Sequence, residues 1–230
     1  MFNLRTFLAS ALCIALFSSL GIAQNLGKYR DFQFGTNVES LAKQIQVKAS
    51  EAKTNHQRPA LIQTLQWNPT SYSAYPGPAT TASVRSIRFD FYNDELFKMV
   101  VTYNSVGTEG LTADDIIEAI SAVYGTAGKP DDSITISSST TYPEQEKVLA
   151  RWEDAQYSYN LFRYSYGSEF GLVASSKTLE LMANAASREA DRLDALEAPA
   201  KELARQKKQL EDTRAAQESA RTVNKPKFRP

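Results

Sequence analysis

Few side chains in this sequence are equipped for chemistry, and their spacing limits what they could do. His56 is the single histidine. An imidazole there could serve as a general base. It would need a carboxylate or nucleophile brought to it in space, and its neighbours Gln57 and Arg58 supply neither. One histidine also excludes the usual His-rich transition-metal sites. Asp114-Asp115 and Asp131-Asp132 are paired carboxylates of the type that ligate calcium, yet no Asp-x-Asp-x-Asp-Gly loop surrounds them. The first pair sits in the opening turn of a predicted helix, where acids favour the dipole. The second follows Lys129-Pro130 in a turn. Gly167-Ser168-Glu169-Phe170-Gly171 places a serine between glycines, but between two predicted strands, without the helix that a nucleophile elbow requires. Ser-x-x-Lys spacing occurs at Ser40–Lys43 and Ser50–Lys53, but without the Ser-Asp-Asn and Lys-Thr-Gly companions that give it a catalytic meaning, and there is no phosphate loop. No catalytic residue, metal or cofactor is therefore expected.

The densest cluster of distinctive side chains is aromatic: Trp152, Tyr157, Tyr159, Phe162, Tyr164, Tyr166 and Phe170. Alternating tyrosines on a strand can form an adhesive platform for a protein or glycan. They are equally good strand formers that pack beneath a helix. Both readings stay open on sequence. A second candidate contact lies at the C-terminus, where Lys207, Lys208, Arg214, Lys225, Lys227, Phe228 and Arg229 sit in a stretch poor in large apolar residues.

These side chains must be held by elements, and the periodicity locates them. Thr36-Asn37-Val38-Glu39 reads as a capping box, followed by Leu41, Ala42 and Ile45 at helical spacing. Thr112 and Asp115 open a second helix carrying Ile116, Ile117, Ile120 and Val123, which Gly125 ends. Period-two segments follow each: 60–67, then 133–139 and 146–154, and two hairpins. In the first hairpin a three-residue loop at 93–95 sets Phe91 opposite Phe97, Phe89 opposite Met99, and Ile87 opposite Val101. The other face then sets Asp90 against Lys98 and Ser86 against Thr102. A two-residue slip would oppose Arg88 to Lys98, a like-charge pair. The second hairpin joins 156–166 to 170–176. Between Trp67 and Val84 the Pro-rich, small-polar stretch predicts a surface loop.

Helix and hairpin recur at an offset of about 75 residues, which predicts two tandem helix-plus-antiparallel-sheet units, about 30–105 and 106–176, in an α+β body spanning 24–176. The match breaks where Asp90 and Lys98 fall on Tyr164 and Leu172, so either the second sheet is covered on both faces or the repeat is coincidental. Gly35-Thr36 opening a helix, then Val38 and Leu41, resembles the beta-lactamase-inhibitor-protein-like fold and the small outer-membrane assembly lipoproteins of the SmpA type. The segments KYRDFQFG, HQRPALIQ and the C-terminal RQKKQ and NKPKFRP resemble a set of uncharacterised exported bacterial proteins. The first resemblance implies a tandem helix-plus-sheet architecture, and the second an exported location.

Location is also read directly. One basic residue, Arg5, precedes an apolar run that ends in Gly21 and Ala23, which places a signal-peptide cut before Gln24. The expected product is secreted or periplasmic, has no transmembrane span, and keeps no cysteine, because Cys13 lies in the removed segment. From 24 to 176 there are 13 basic and 17 acidic residues, and beyond Ala200 there are 9 basic and 4 acidic. A mildly acidic body excludes nucleic acid as its partner.

From Lys177 the chain reads as a helical arm to about 222. Leu179, Met182, Ala186, Ala190 and Leu193 form a stripe that docks on the body, and a kink is expected near Pro199. The heptad seam continues through Leu196, Leu203 and Leu210 but takes Lys207 and Arg214 at its other position, so a coiled coil fades out. Residues 223–230 are expected to be a disordered basic tail. The composite expectation is an exported, non-enzymatic binding or assembly module whose partner is another envelope protein or a wall polymer. A cell-envelope enzyme without a recognisable motif and a protein inhibitor of an enzyme are the alternatives.

Overall fold

A computed structural model describes residues 25–69, 83–136, 144–167, 169–227 and 229. The predicted signal peptide, most of the Pro-rich loop, Ser168 and Phe228 fall outside the described residues.

A short hairpin, β1 (Lys28–Tyr29) and β2 (Phe32–Gln33), precedes α1 (Val38–Gln44) and then β3 (Lys53–His56), β4 (Ile62–Trp67), β5 (Val84–Tyr92) and β6 (Glu95–Tyr103). After α2 (Ala113–Tyr124) come β7 (Ser133–Thr135), β8 (Gln145–Glu153), β9 (Tyr157–Arg163) and β10 (Phe170–Ser176). The last element is one long helix, α3 (Lys177–Asn224). The chain is α+β. Strands β3 to β10 form a single antiparallel sheet in the order β3-β4-β5-β6-β10-β9-β8-β7. The strands of both halves therefore fuse through β6 and β10, whose register runs from Gly171 against Thr102 to Ser175 against Lys98.

Local chemistry explains the boundaries. Thr112 caps α2, accepting from the Asp115 amide while the Asp115 carboxylate accepts from the Thr112 amide, and Gly125 closes it at φ 80. For α1 the cap is Asn37, which accepts from the Ser40 amide at 2.8 Å, rather than Thr36. Thr36 instead donates its hydroxyl to the Gln33 carbonyl. Asn37 wins because its carbonyl reaches the third helical amide, as Asn does well.

The β5–β6 hairpin keeps most of the predicted register: Asp90 faces Lys98, Phe89 faces Met99, Ile87 faces Val101 and Ser86 faces Thr102. Its turn differs. Only Asn93 and Asp94 lie between the strands, with φ of 46° and 69°, and Tyr92 pairs with Glu95. A two-residue turn with both φ positive suits the right-handed twist of a hairpin, and Asn-Asp tolerates it. A bulge between Asp90 and Phe91 absorbs the extra residue, so Phe91 faces Leu96 rather than Phe97. Phe97 consequently turns to the opposite face and packs with Ile62 and Ala183.

One face of the sheet carries the main core. Leu65, Ile87, Phe89, Met99, Val101, Trp152, Tyr159, Leu161 and Leu172 pack beneath α1, α2 and the β1–β2 hairpin. The Trp152 indole donates to the Gly125 carbonyl at 2.8 Å and to the Ser121 hydroxyl, tying the end of α2 to β8. The second face is covered by the first half of α3 and by the segment ending in Ile136, which packs on Val100, Phe162 and Val173. Gly171 is required here: a Cβ would lie 2.2 Å from the Phe162 ring. Almost every residue of β6 and β10 is buried, because elements cover both faces.

Candidate functional site

The sequence-derived candidates scatter. His56 ends the edge strand β3, opposite Ile62, rather than lying in a helix-to-strand connection. Asp115 serves the α2 cap, and its pairing with the Thr112 hydroxyl and amide lowers its pKa. Asp132 holds Arg151 at 2.8 Å, and Asp131 pairs with Lys147. Among the described residues no three His, Cys, Asp or Glu side chains converge as a metal site would need.

The seven-residue aromatic platform does not exist as a surface. Trp152, Tyr159, Phe162 and Phe170 are buried at 2% exposure or less, and Tyr157 and Tyr164 are half-buried. Only Tyr166, in the β9–β10 loop, is fully exposed. The reason is the double coverage of the sheet, which leaves the central strands no free face.

Burial instead assembles a phenol cluster that sequence alone did not single out. The Tyr29 and Tyr103 hydroxyls lie 3.3 Å apart, and Tyr159 meets Tyr29 and Tyr124 edge-on at centroid distances of 6.4 and 4.8 Å. The Arg30 guanidinium sits 5.5 Å from the Tyr29 ring, and the Arg30 amide donates to the Tyr124 hydroxyl. Burial raises the pKa of all four tyrosines, so they remain neutral phenols at physiological pH. The Tyr159 hydroxyl makes no hydrogen bond of good geometry, and Tyr124 is its foremost electrostatic neighbour and its one loose hydrogen-bond contact among the described residues. The signal missed was Tyr29 and Tyr103, which are 74 positions apart in sequence.

Beneath α3 lies a buried polar seam. Asn55 donates to Thr64, Thr64 to Asp90 at 3.0 Å, and Arg88 grips Asp90 through Nε and Nη2 while reaching the Ile136 carbonyl at 2.6 Å. Asp90 thus takes Arg88 as its ion partner, although Lys98 faces it across the strands. Lys98 is turned to Glu180 of α3 at 3.0 Å and to the Thr135 carbonyl at 3.1 Å. The seam bolts both covering elements to the sheet.

The rest of the α3 seat is slight. Ala183 and Ala190 are its only buried residues among those described, and Leu179 packs partly beside Ala183. The docked face is rotated from the predicted stripe: Met182 is 46% exposed and Ala183 takes its place. Alanine lets the helix approach Ile62 and Phe97 more closely than methionine would. Lys177 Nζ anchors the start to Glu153 and to the Asp154 carbonyl at 2.7 Å. At the far side Arg58 clamps Glu197 through two contacts of 2.5 and 2.6 Å, with Asp194 at 3.3 Å. Arg58 first, then Lys201, hold the Glu197 carboxyl down to about 2.

Past Glu197 the helix leaves the body. It runs through Pro199 as one continuous helix and reaches Asn224 with every residue from Ala198 exposed. Residues 225–227 add a 3-10 turn where a disordered tail was expected. At 1.5 Å per residue the free part projects about 40 Å. Lys207, Lys208, Arg214, Lys225 and Lys227 lie along it, and Arg229 is exposed beyond it. Arg205 and Gln206 both close on Glu202 within the helix. Among the described residues no helix is long and apolar enough to cross a membrane.

No family model, curated protein or solved structure matches the chain.

Proposed function

We infer that this protein is a non-enzymatic binding or assembly module of the bacterial cell envelope, in which a rigid α+β body presents the distal half of α3 to a partner. The observation that carries this reading is the division of α3 into a seated half and an exposed half of about 40 Å. A helix of that length, polar along most of its surface and without core contacts, adds little stability to the body, so its value lies in reach. The order of one helix and four strands occurs twice, in α1 with β3–β6 and in α2 with β7–β10, and supports two copies of one unit sharing a sheet. Export rests on the signal-like residues 1–23. An inhibitor gripping an enzyme with an open sheet is disfavoured, since β6 and β10 have no open face.

The test is crosslinking in cells of the native host, comparing the full chain with one ending at Ala200. Loss of a crosslinked species on truncation is expected. Recovery of the same species by both forms would remove the arm from any binding role.

A further inference from the structure

Resting on that reading of the arm, we propose that its partner is a second copy of this chain, and that two α3 helices pair antiparallel about a two-fold axis near residue 205.

Along α3 the exposed side is not uniformly polar. Met182, Leu196, Leu203 and Leu210 are exposed apolar side chains at intervals of seven or fourteen residues, and they lie on one side of the helix, away from buried Ala183 and Ala190. The intervening seam positions are Ala200, Lys207 and Arg214. A parallel pair would bring Lys207 onto Lys207 and Arg214 onto Arg214 of its partner, like charges at the centre of the seam. Antiparallel pairing removes both collisions. With Leu203 against the partner's Lys207, the same register sets Leu196 against the partner's Arg214, Leu210 against the partner's Ala200, and Glu189 against the partner's Arg221. Each basic side chain can lay its methylene stem over a leucine and carry its charge outward.

The charge distribution agrees with that direction. Residues 189–202 hold five acids and two bases, whereas 203–229 hold eight bases and three acids. Antiparallel helices place the acidic half of one beside the basic half of the other. Arg214 then comes beside the partner's Glu197, which among the described residues otherwise meets Arg58 and Lys201. Glu189 has a single local partner, Arg192, and its side chain is 42% exposed. The free length is sufficient, since the overlap from 196 to 214 lies almost wholly beyond the last body contact at Glu197.

Cys13 is the single cysteine of the sequence, so a chain that begins at Gln24 has none and is suited to the experiment. Sedimentation equilibrium should show a monomer–dimer equilibrium that weakens at 1 M salt. Glu189→Arg should weaken the dimer about tenfold, two symmetry-related pairs being lost, and adding Arg221→Glu should restore it. The two positions are about 48 Å apart in one helix, so rescue can come only across two chains. Mixing an L203C chain with a K207C chain should give the mixed disulfide. Circular dichroism of each variant confirms that the helix persists. A monomer at every concentration, homodisulfides in place of the mixed one, or absence of charge-swap rescue overturns the pairing. If the arm-dependent crosslink seen in cells then proves to contain a different protein or an anionic polymer, the binding-arm reading stands and self-pairing falls. If no arm-dependent species forms at all, both fall.

Discussion

At the scale of single residues, the fold rests on a few side chains whose neighbours leave no alternative. Gly171 is one. Its substitution by Ala drives a Cβ to within 2.2 Å of the Phe162 ring, so the ring or the strand must shift, and a loss of about 1–3 kcal/mol is expected in urea unfolding. Making Phe162→Leu in the same chain should recover part of that loss. Tyr159 gives the opposite expectation. Its buried hydroxyl makes no hydrogen bond of good geometry, only a loose contact with Tyr124, so Tyr159→Phe should leave stability unchanged or raise it by up to about 1 kcal/mol. A loss greater than about 1 kcal/mol would show that the hydroxyl is satisfied. Lys98 illustrates how much of a residue's role was readable. Its strand position opposite Asp90 follows from periodicity and charge. Its actual partner, Glu180, is 82 residues away on a helix whose placement no strand pattern encodes.

Among the elements, α3 shows what its two halves are worth. Glu180→Ala would leave Lys98 buried with only a carbonyl to satisfy it, a cost of about 2 kcal/mol. The outer clamp is exposed and behaves differently. Arg58 holds the Glu197 carboxyl at about 2, below its ordinary 4.5. A depressed carboxylate contributes to folding above its unfolded pKa and loses that contribution as pH falls from about 4.5 through about 2. Arg58→Ala should therefore return the Glu197 titration, followed by carboxyl NMR, toward 4.5, with little change in the melting of the body at neutral pH. A carboxyl that stays depressed without Arg58 would assign the shift to Lys201. Amide exchange should divide the helix near residue 201, slow for 179–193 and fast for 204–224, since only the first part has tertiary cover. The α2 caps were legible because Thr112, Asp115 and Gly125 act locally. The choice of Asn37 over Thr36 was not, because adjacent residues are both good caps and only the backbone start of the helix decides between them; that of Ala183 over Met182 was not, because it depends on how closely the helix approaches the sheet.

For the whole molecule, the amino-acid sequence by itself determined the alternation of the strands, most of the first hairpin's register, both short helices, the charge asymmetry of the arm and the absence of a motif for catalysis or metal binding. These follow from interactions within a few residues or across one turn. Tertiary structure alone decided that the strands form one sheet through β6 and β10, that Trp152, Tyr159, Phe162 and Phe170 are core, that Asp90 and Lys98 take separate ion partners, and that four tyrosines converge above the sheet. Each of these depends on surfaces brought together from opposite ends of the chain. The same aromatic alternation serves a covered strand or an exposed one, and only the helix and loop that pack on the second face settle which it is.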